Sequence, residues 1–337
     1  MNEQIKLPMT VIGAGSWGTA LALLLARNGN TVHLWGHDRD DLLMMQKQGV
    51  NSRYLPDFLF PENLHVKLEL VEALHGVRDI LIVVPSTAFH AVISRLVPLM
   101  TKKHRIVWGT KGLDAESCET LDRVAQQVLG HHVSLAVLSG PSFASEVAQG
   151  LPTAVTLASN DEAFADELVA RFSNDTFRLY KSNDLMGVEL CGVMKNVLAI
   201  AAGICDGLKL GANARSALLT RGMAELGRLL QAAGGDSRTL MSLAGFGDII
   251  LTCTTNQSRN RRFGLMIGAG ISVAAAVEKI GQVVEGYVNA SQLQRLAKKY
   301  ELDMPIVNAV YRILEQHLSP KDAAAELLSR KSTGRWG

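Results

Sequence analysis

TVIGAGSWGTALALLLARNGNTVHLWGHD, residues Thr10–Asp38, is the stretch from which the fold can be read. An apolar run closes at Val11-Ile12, and Gly13, Gly15 and Gly18 follow in the spacing G-x-G-x-x-G. An apolar-periodic helix then runs from Thr19 to about Asn28. Gly29-Asn30 ends it, and a second strand, Thr31–Trp35, begins. A glycine triplet between a strand and a helix is far more specific than the triplet alone. The three glycines meet different needs. Gly13 permits a tight turn, Gly15 lets the backbone approach a pyrophosphate closely, and Gly18 allows close helix–strand packing. The helix that follows opens with unpaired N–H groups and the positive end of its dipole, which suits the phosphates of a dinucleotide. Ser16 and Trp17 lie inside the loop.

A site selective for NAD usually carries an acid at the end of the second strand, where it holds the ribose 2′-hydroxyl. Here the strand runs out as Trp35-Gly36-His37-Asp38-Arg39, with Asp38 a residue or two late. His37 and Arg39 are placed to face a 2′-phosphate. NADP is therefore expected, with NAD still open. A solvated Arg39 beside the next helix start reads equally well.

The chain has 337 residues, long for one core, so two domains are expected. A formal net charge of +2 gives no reason to invoke nucleic acid or an acidic membrane. The sequence shows no secretion signal, and no uninterrupted apolar run approaches the roughly 20 residues of a membrane span. Cys118, Cys191, Cys205 and Cys253 are scattered, with no C-x-x-C pair. Zinc and disulfide frameworks are not indicated, and buried thiols in a reducing cytoplasm are expected.

Further along, the pattern predicts a helix over Asp40–Gln48, a loop over Asn51–Asn63 and a third strand at His65–Leu68. Asp79–Val84, almost wholly apolar, has the composition of a parallel strand covered on both faces. A helix at Ala88–Leu96, a strand at Arg105–Trp108, a helix at Ser117–Leu129 and a strand at Ser134–Leu138 come next. Ala154–Ala158 and Phe177–Tyr180 are further strands around a helix at Ala163–Phe172. This alternation implies a Rossmann-like, doubly wound, mostly parallel sheet. Ligands bind such sheets at the carboxyl ends of the strands. Pro85-Ser86, Thr110-Lys111-Gly112 and Gly140-Pro141-Ser142 are therefore expected around the nicotinamide. From about Asp184 only helical periods remain: Leu185–Asp206, Ala212–Ala233, Asn260–Ile267, Val273–Lys279, Gly286–Lys299 and Pro305–Gln316. The chain thus divides into a nucleotide-binding domain, 1–184, and an all-helical domain, 185–337, ending in a short polar tail, Lys331–Gly337.

Lys195 is the only basic residue of its helix. Gly192, Lys195, Asn196 and Ala199 share one face, small enough for a ligand to come close. A lysine snorkelling out of a packed helix fits the same pattern. Hydride chemistry at a carbinol needs a group that exchanges the hydroxyl proton and donors that stabilise developing oxygen charge. A free lysine, with a pKa of about 10.4, is a poor base at neutral pH; burial or a second cation such as Lys111 lowers it. Asp248, after Gly245-Phe246-Gly247, reads as a ligand-facing carboxylate or as a helix cap. Ser258-Arg259-Asn260-Arg261-Arg262 reads as a phosphate fork at a helix start or as a capped, solvated basic turn. Glu285 is a turn carboxylate or a nucleotide contact. The motifs of metalloproteases, acyl transferases and P-loop enzymes are absent.

Seven stretches, GAGSWGTALA, GTKGLD, GPSFASEVAQGLPTAV, ELCGVMKNVLAIAAG, GFGDIILTCT, SRNRRFG and VVEG, occur in this order between Thr10 and Gly286. Together they closely resemble the motifs of the bacterial NAD(P)-dependent glycerol-3-phosphate dehydrogenase family. Ile249-Ile250, where Leu often follows the Asp, is a small departure that touches no polar position. The resemblance implies reversible hydride transfer between NAD(P)H and dihydroxyacetone phosphate, giving sn-glycerol 3-phosphate for phospholipid synthesis. By motif position Lys195 exchanges the proton. Lys111, Gly140, Ser142, Asp248, Ser258, Arg259 and Asn260 contact the substrate. Gly13, Gly15, Ser16, Trp17, Gly18, His37, Tyr54, Lys111, Ala144, Arg259, Val283 and Glu285 hold the nucleotide. A cytoplasmic homodimer is implied too. The competing readings are a sibling 3-hydroxy acid dehydrogenase, with Arg259 on a carboxylate, and a non-catalytic NAD(P)H sensor.

Overall fold

The apolar runs form strands because β-branched and aliphatic side chains pack well on a sheet covered from both sides. The computed structural model describes residues 8–330; the tail expected at Lys331–Gly337 lies outside them. The strands are β1 (Met9–Ile12), β2 (Val32–Trp35), β3 (Val50–Asn51), β4 (Leu55–Leu59), β5 (Leu64–Val66), β6 (Asp79–Ile82), β7 (Arg105–Trp108), β8 (Leu135–Ser139), β9 (Thr153–Ser159) and β10 (Phe177–Ser182). Eight of them form one sheet in the order β10-β9-β8-β7-β6-β1-β2-β5. Strands β5, β2, β1, β6, β7 and β8 are mutually parallel. Strand β9 pairs antiparallel with β8, and β10 parallel with β9.

The strand order reverses direction between β1 and β6, which makes a crevice at the carboxyl ends of those strands. The loops after β1, β6, β7 and β8 all emerge on that edge. At the opposite edge Asp79, fully buried, takes an ion pair from Arg105 Nε at 2.7 Å and another from Arg171 Nε at 3.3 Å. A buried charge survives only when paired in this way.

The expected loop Asn51–Asn63 instead contains a hairpin of β3 and β4 with an irregular register. Its strands are two and five residues long, and β4 includes Pro56, so no alternating pattern announced it. The helix expected from Ser117 begins only at Leu121, after Cys118 adopts a positive φ of 57°.

The chain separates into two compact units. One comprises the described chain up to Asp114 together with Glu119–Leu185; the other comprises Ala115–Cys118 and the chain from Met186 onward. In the second unit Arg295 Nη2 donates to Glu116 O at 3.0 Å. This unit holds the helices Leu185–Gly207, Ala212–Ala233, Asp248–Thr254, Arg259–Gly268, Val273–Ile280, Glu285–Lys299, Pro305–Glu315 and Pro320–Ser329. Among the described residues it contains no strand.

Leu185–Gly207 is long and apolar enough to cross a membrane by length and composition, although Glu189, Lys195 and Asn196 interrupt its apolar run, and its most apolar window is entirely buried within the protein. It is the core helix of its unit. Its neighbour Arg259–Gly268 packs with backbone against backbone. A Cβ built on Gly203 or Gly207 would overlap the carbonyls of Arg261 or Leu265, and one built on Gly264 or Gly268 those of Ile200 or Ile204.

Candidate active site

The glycine loop sits where β1 meets the crevice. Gly13 has a φ of +117°, and a Cβ there would strike the carbonyl of Val83 on the neighbouring loop. Its N–H donates to Trp35 O at 2.8 Å. Gly15 is the extended N-cap of helix Ser16–Arg27, and no side chain caps that helix. A Cβ on Gly15 would meet nothing within 4 Å, so this face of the loop is open. Trp17 Nε1 is buried without a partner, a donor that solvent does not satisfy. Asn51, where β3 enters the turn of the β3–β4 hairpin, clamps the loop. Its Nδ2 donates to Ala14 O at 2.9 Å and to Thr19 Oγ1 at 2.8 Å. Tyr54 lies in the hairpin turn, half-buried, with the guanidinium of Arg53 5.4 Å from its ring centre.

At the end of β2, His37 is exposed. Asp38 caps helix Arg39–Gln48 by accepting from the N–H groups of Asp40 and Asp41, both at 3.1 Å. Arg39 starts that helix and pairs with Glu69 on the surface. On the neighbouring loops of the same edge, Lys111 Nζ donates to Gly140 O at 3.4 Å and Ser142 Oγ to the same oxygen at 2.9 Å. A Cβ on Gly140 would come within 2.9 Å of Val155 Cα. Ala144 opens the short helix Ala144–Gln149 directly after. These residues form one rim of the sheet unit.

In the helical unit Lys195 is buried. Its Nζ donates to Asp248 Oδ1 and to Thr252 Oγ1, both at 3.2 Å. Thr252 Oγ1 in turn donates to Asp248 Oδ1 at 3.1 Å. Lys195 therefore does not snorkel, and Asp248 does not cap. Gly247 holds the N-cap position of helix Asp248–Thr254, after a single π-helical turn, Leu243–Gly247. That turn points the carboxylate inward. Cys253 beside it is buried, and desolvation pushes its thiol well above the usual range, so it offers no nucleophile.

Helix Arg259–Gly268 is capped by Ser258, whose Oγ accepts from Arg261 N at 3.2 Å. Arg261 is not a solvated turn residue. It is buried, donates to Asn256, and pairs with Asp206 at 2.5 Å; Arg215 holds the same carboxylate at 2.9 Å. This leaves Arg259, half-buried, with Nη1 donating to Gln282 Oε1 at 3.3 Å. Val283 is exposed in the same segment, and Glu285 starts helix Glu285–Lys299. Asn260 is buried: its Nδ2 donates to Asn196 Oδ1 at 2.9 Å, and its Oδ1 accepts from Gly286 N at 3.0 Å. Lys195, Asp248 and Asn260 are thus brought together on adjacent helices, with Arg259 and Glu285 at the segment's rim.

Comparison with known proteins rests on both halves. The N-terminal description of NAD-dependent glycerol-3-phosphate dehydrogenase matches residues 8–165 and the C-terminal description matches residues 184–325. The chain belongs to this family. A Coxiella burnetii glycerol-3-phosphate dehydrogenase [NAD(P)+] is 54% identical over 328 residues, 97% of this chain and 98% of its own. One from Escherichia coli is 51% identical over 331 residues, 98% of this chain and 97% of its own. The crystal structure of the Coxiella burnetii enzyme superimposes with a TM-score of 0.94, covering 97% of this chain and all of that one. A ketopantoate reductase from Ralstonia eutropha, 16% identical with a TM-score of 0.60 over 94% of this chain and 99% of that one, shares the fold.

Beside Asn260, Asn196 Nδ2 donates to Asn289 Oδ1 at 3.0 Å. Three residues of these clusters do not stand out in the sequence. Asn51 fell in an expected loop. Thr252 and Asn289 are single polar residues on apolar-periodic helices. A signal existed for Thr252, which stands four residues after Asp248 and so on the same helix face.

Among the described residues no group of three or more His, Cys, Asp or Glu is arranged to hold a metal. The glycine loop fits a dinucleotide: an uncapped helix start, an open approach at Gly15 and the buried orphan donor of Trp17.

Proposed function

We propose that this chain catalyses reversible hydride transfer between NAD(P)H and dihydroxyacetone phosphate, yielding sn-glycerol 3-phosphate for phospholipid synthesis. The observation that carries the reading is the buried triad of Lys195, Asp248 and Thr252, with Nζ 3.2 Å from both partners, in a chain of this family. Gly13, Gly15, Ser16, Trp17 and Gly18 hold the pyrophosphate, while Tyr54, Lys111, Ala144, Val283 and Glu285 complete the nucleotide's surroundings. When bound, the reduced nicotinamide supplies the hydride. Lys195 gives the proton to the carbinol oxygen in the reducing direction and takes it back in the other. Asp248 and Thr252 fix the ammonium so that a proton points at one place, which removes reorganisation from the reacting step. Lys111, Gly140, Ser142, Ser258, Arg259 and Asn260 bind the rest of the substrate, with the Arg259 fork suited to phosphate oxygens.

NADP is accepted. Asp38 spends its carboxylate on a helix cap, and His37 is exposed where a 2′-phosphate would lie. The enzyme is cytoplasmic and a homodimer. Its four free, buried cysteines suit a reducing compartment, and light scattering on the purified protein tests the dimer. The central test compares dihydroxyacetone phosphate with dihydroxyacetone under NADPH. Losing charge-assisted contacts to the phosphate should lower kcat/KM by at least about 10-fold. A smaller loss refutes the phosphate site, and no nucleotide consumption at all favours a sensor.

A further inference from the structure

A chain of buried side-chain amides crosses three helices of the helical unit. Asn260 Oδ1 accepts from Gly286 N at 3.0 Å, and Asn260 Nδ2 donates to Asn196 Oδ1 at 2.9 Å. Asn196 Nδ2 donates to Asn289 Oδ1 at 3.0 Å and to Glu285 Oε2 at 3.3 Å. Asn289 Nδ2 then donates to Gln292 Oε1 at 2.9 Å. Asn196 and Asn289 are each 1% exposed, and Gln292 is 3% exposed.

The chain has a direction, and one atom sets it. A backbone N–H can only donate, so Gly286 fixes which end of the Asn260 amide is oxygen. That choice passes along. Asn260 must donate to Asn196, Asn196 must donate to Asn289, and Asn289 must donate to Gln292. A flip of any member would set donor against donor or acceptor against acceptor in a buried site, which is costly. Both hydrogens of Asn196 Nδ2 are engaged, one on Asn289 and one on Glu285.

We infer that Asn289 is a positioning residue for this reaction, setting the Asn196 amide and through it both Asn260 and Glu285. The inference rests on the reading above, in which Asn260 contacts substrate and Glu285 contacts nucleotide. Asn289 is the acceptor that keeps the Nδ2 side of Asn196 turned toward helix Glu285–Lys299. Without it the Nδ2 side of Asn196 keeps only the longer bond to Glu285 at 3.3 Å, so the amide is held less firmly and Asn260 loses a fixed acceptor. One relay then serves two ligands.

The test measures KM for dihydroxyacetone phosphate, KM for NADPH, kcat and the unfolding midpoint of five forms: wild type, Asn289→Leu, Asn289→Asp, Asn260→Ala and the double variant Asn260→Ala/Asn289→Leu. Asn289→Leu is expected to raise substrate KM by about 10-fold, the scale expected of a misplaced binding group. Asn289→Asp keeps an acceptor for Asn196 and should restore substrate KM to within about 3-fold of wild type, whatever its midpoint. In the Asn260→Ala background Asn289→Leu should add nothing further to substrate KM, because its effect runs through the missing amide. A lowered midpoint with unchanged KM overturns the inference, as does an additive effect in the double variant. An Asn260→Ala protein with wild-type KM instead overturns the assignment of Asn260 to substrate. Should Asn289→Leu fail to fold, Gln292→Met removes the next acceptor and is read in the same way.

Discussion

Lys195 is held by two oxygens, and the two do different work. Asp248 supplies the charge that keeps an ammonium tolerable in a buried place, and Thr252 supplies a second acceptor that fixes its direction. An ammonium so held needs little rearrangement to act as the proton donor proposed above. Replacing Lys195 by Ala should cut kcat by at least ~10²-fold, as expected when a general acid is lost. NADPH affinity, followed by nucleotide fluorescence, should stay near wild type, because the glycine loop is untouched. Retained turnover would remove Lys195 from the mechanism. The lysine stands out in the sequence because it is alone on an apolar helix. Its partners are harder to see: Asp248 sits 53 positions away and Thr252 57, so only folding could assign them.

Between helices Leu185–Gly207 and Arg259–Gly268 the glycines of both helices let backbones touch, and this seats Asn196 against Asn260. Gly203→Ala would drive a methyl into the carbonyl of Arg261, where no side chain can yield. It should destabilise by about 3 kcal/mol or more in urea titration. Gly227 is the contrasting case. It lies within helix Ala212–Ala233, and a Cβ there would meet only Leu240 Cδ2 at 3.6 Å. Gly227→Ala should therefore stabilise by up to about 1 kcal/mol.

The same helix docks its neighbour through Glu225, which is buried and accepts from Ile306 N at 2.8 Å and Val307 N at 3.2 Å. Burial pushes its carboxyl from 4.5 up to about 7, outweighing the two N–H bonds, which act the other way. The folded protein thus holds a proton that the unfolded chain has released. Stability should fall as pH rises from about 4.5 to 7 and level off above that. Urea midpoints across this window should show the slope in wild type and lose it in Glu225→Gln.

For the molecule as a whole, a nucleotide that binds only the folded state adds stability by mass action. NADPH at 100 times its Kd should add about 2.7 kcal/mol. Hydrogen exchange should show the protection at Gly13–Thr19 and at the loops after β6, β7 and β8. Protection confined to other segments would contradict the placement of the dinucleotide. The sequence by itself determined the two-part plan, the glycine loop, the parallel strands and the core helix carrying Lys195. These are written in local periodicity and in residues whose backbone demands are their own. It also carried the family, because seven ordered motifs leave little room for another. Which reading each polar residue takes was decided only by tertiary structure. Asp38 became a cap and Asp248 a partner of lysine; Arg261 turned inward while Arg259 stayed at the rim; Asn51 reached back to clamp Ala14 and Thr19. The reason is physical. A side chain's hydrogen-bond capacity is fixed by its chemistry, but its partner comes from elsewhere in the chain and is named only when packing brings the two within about 3 Å.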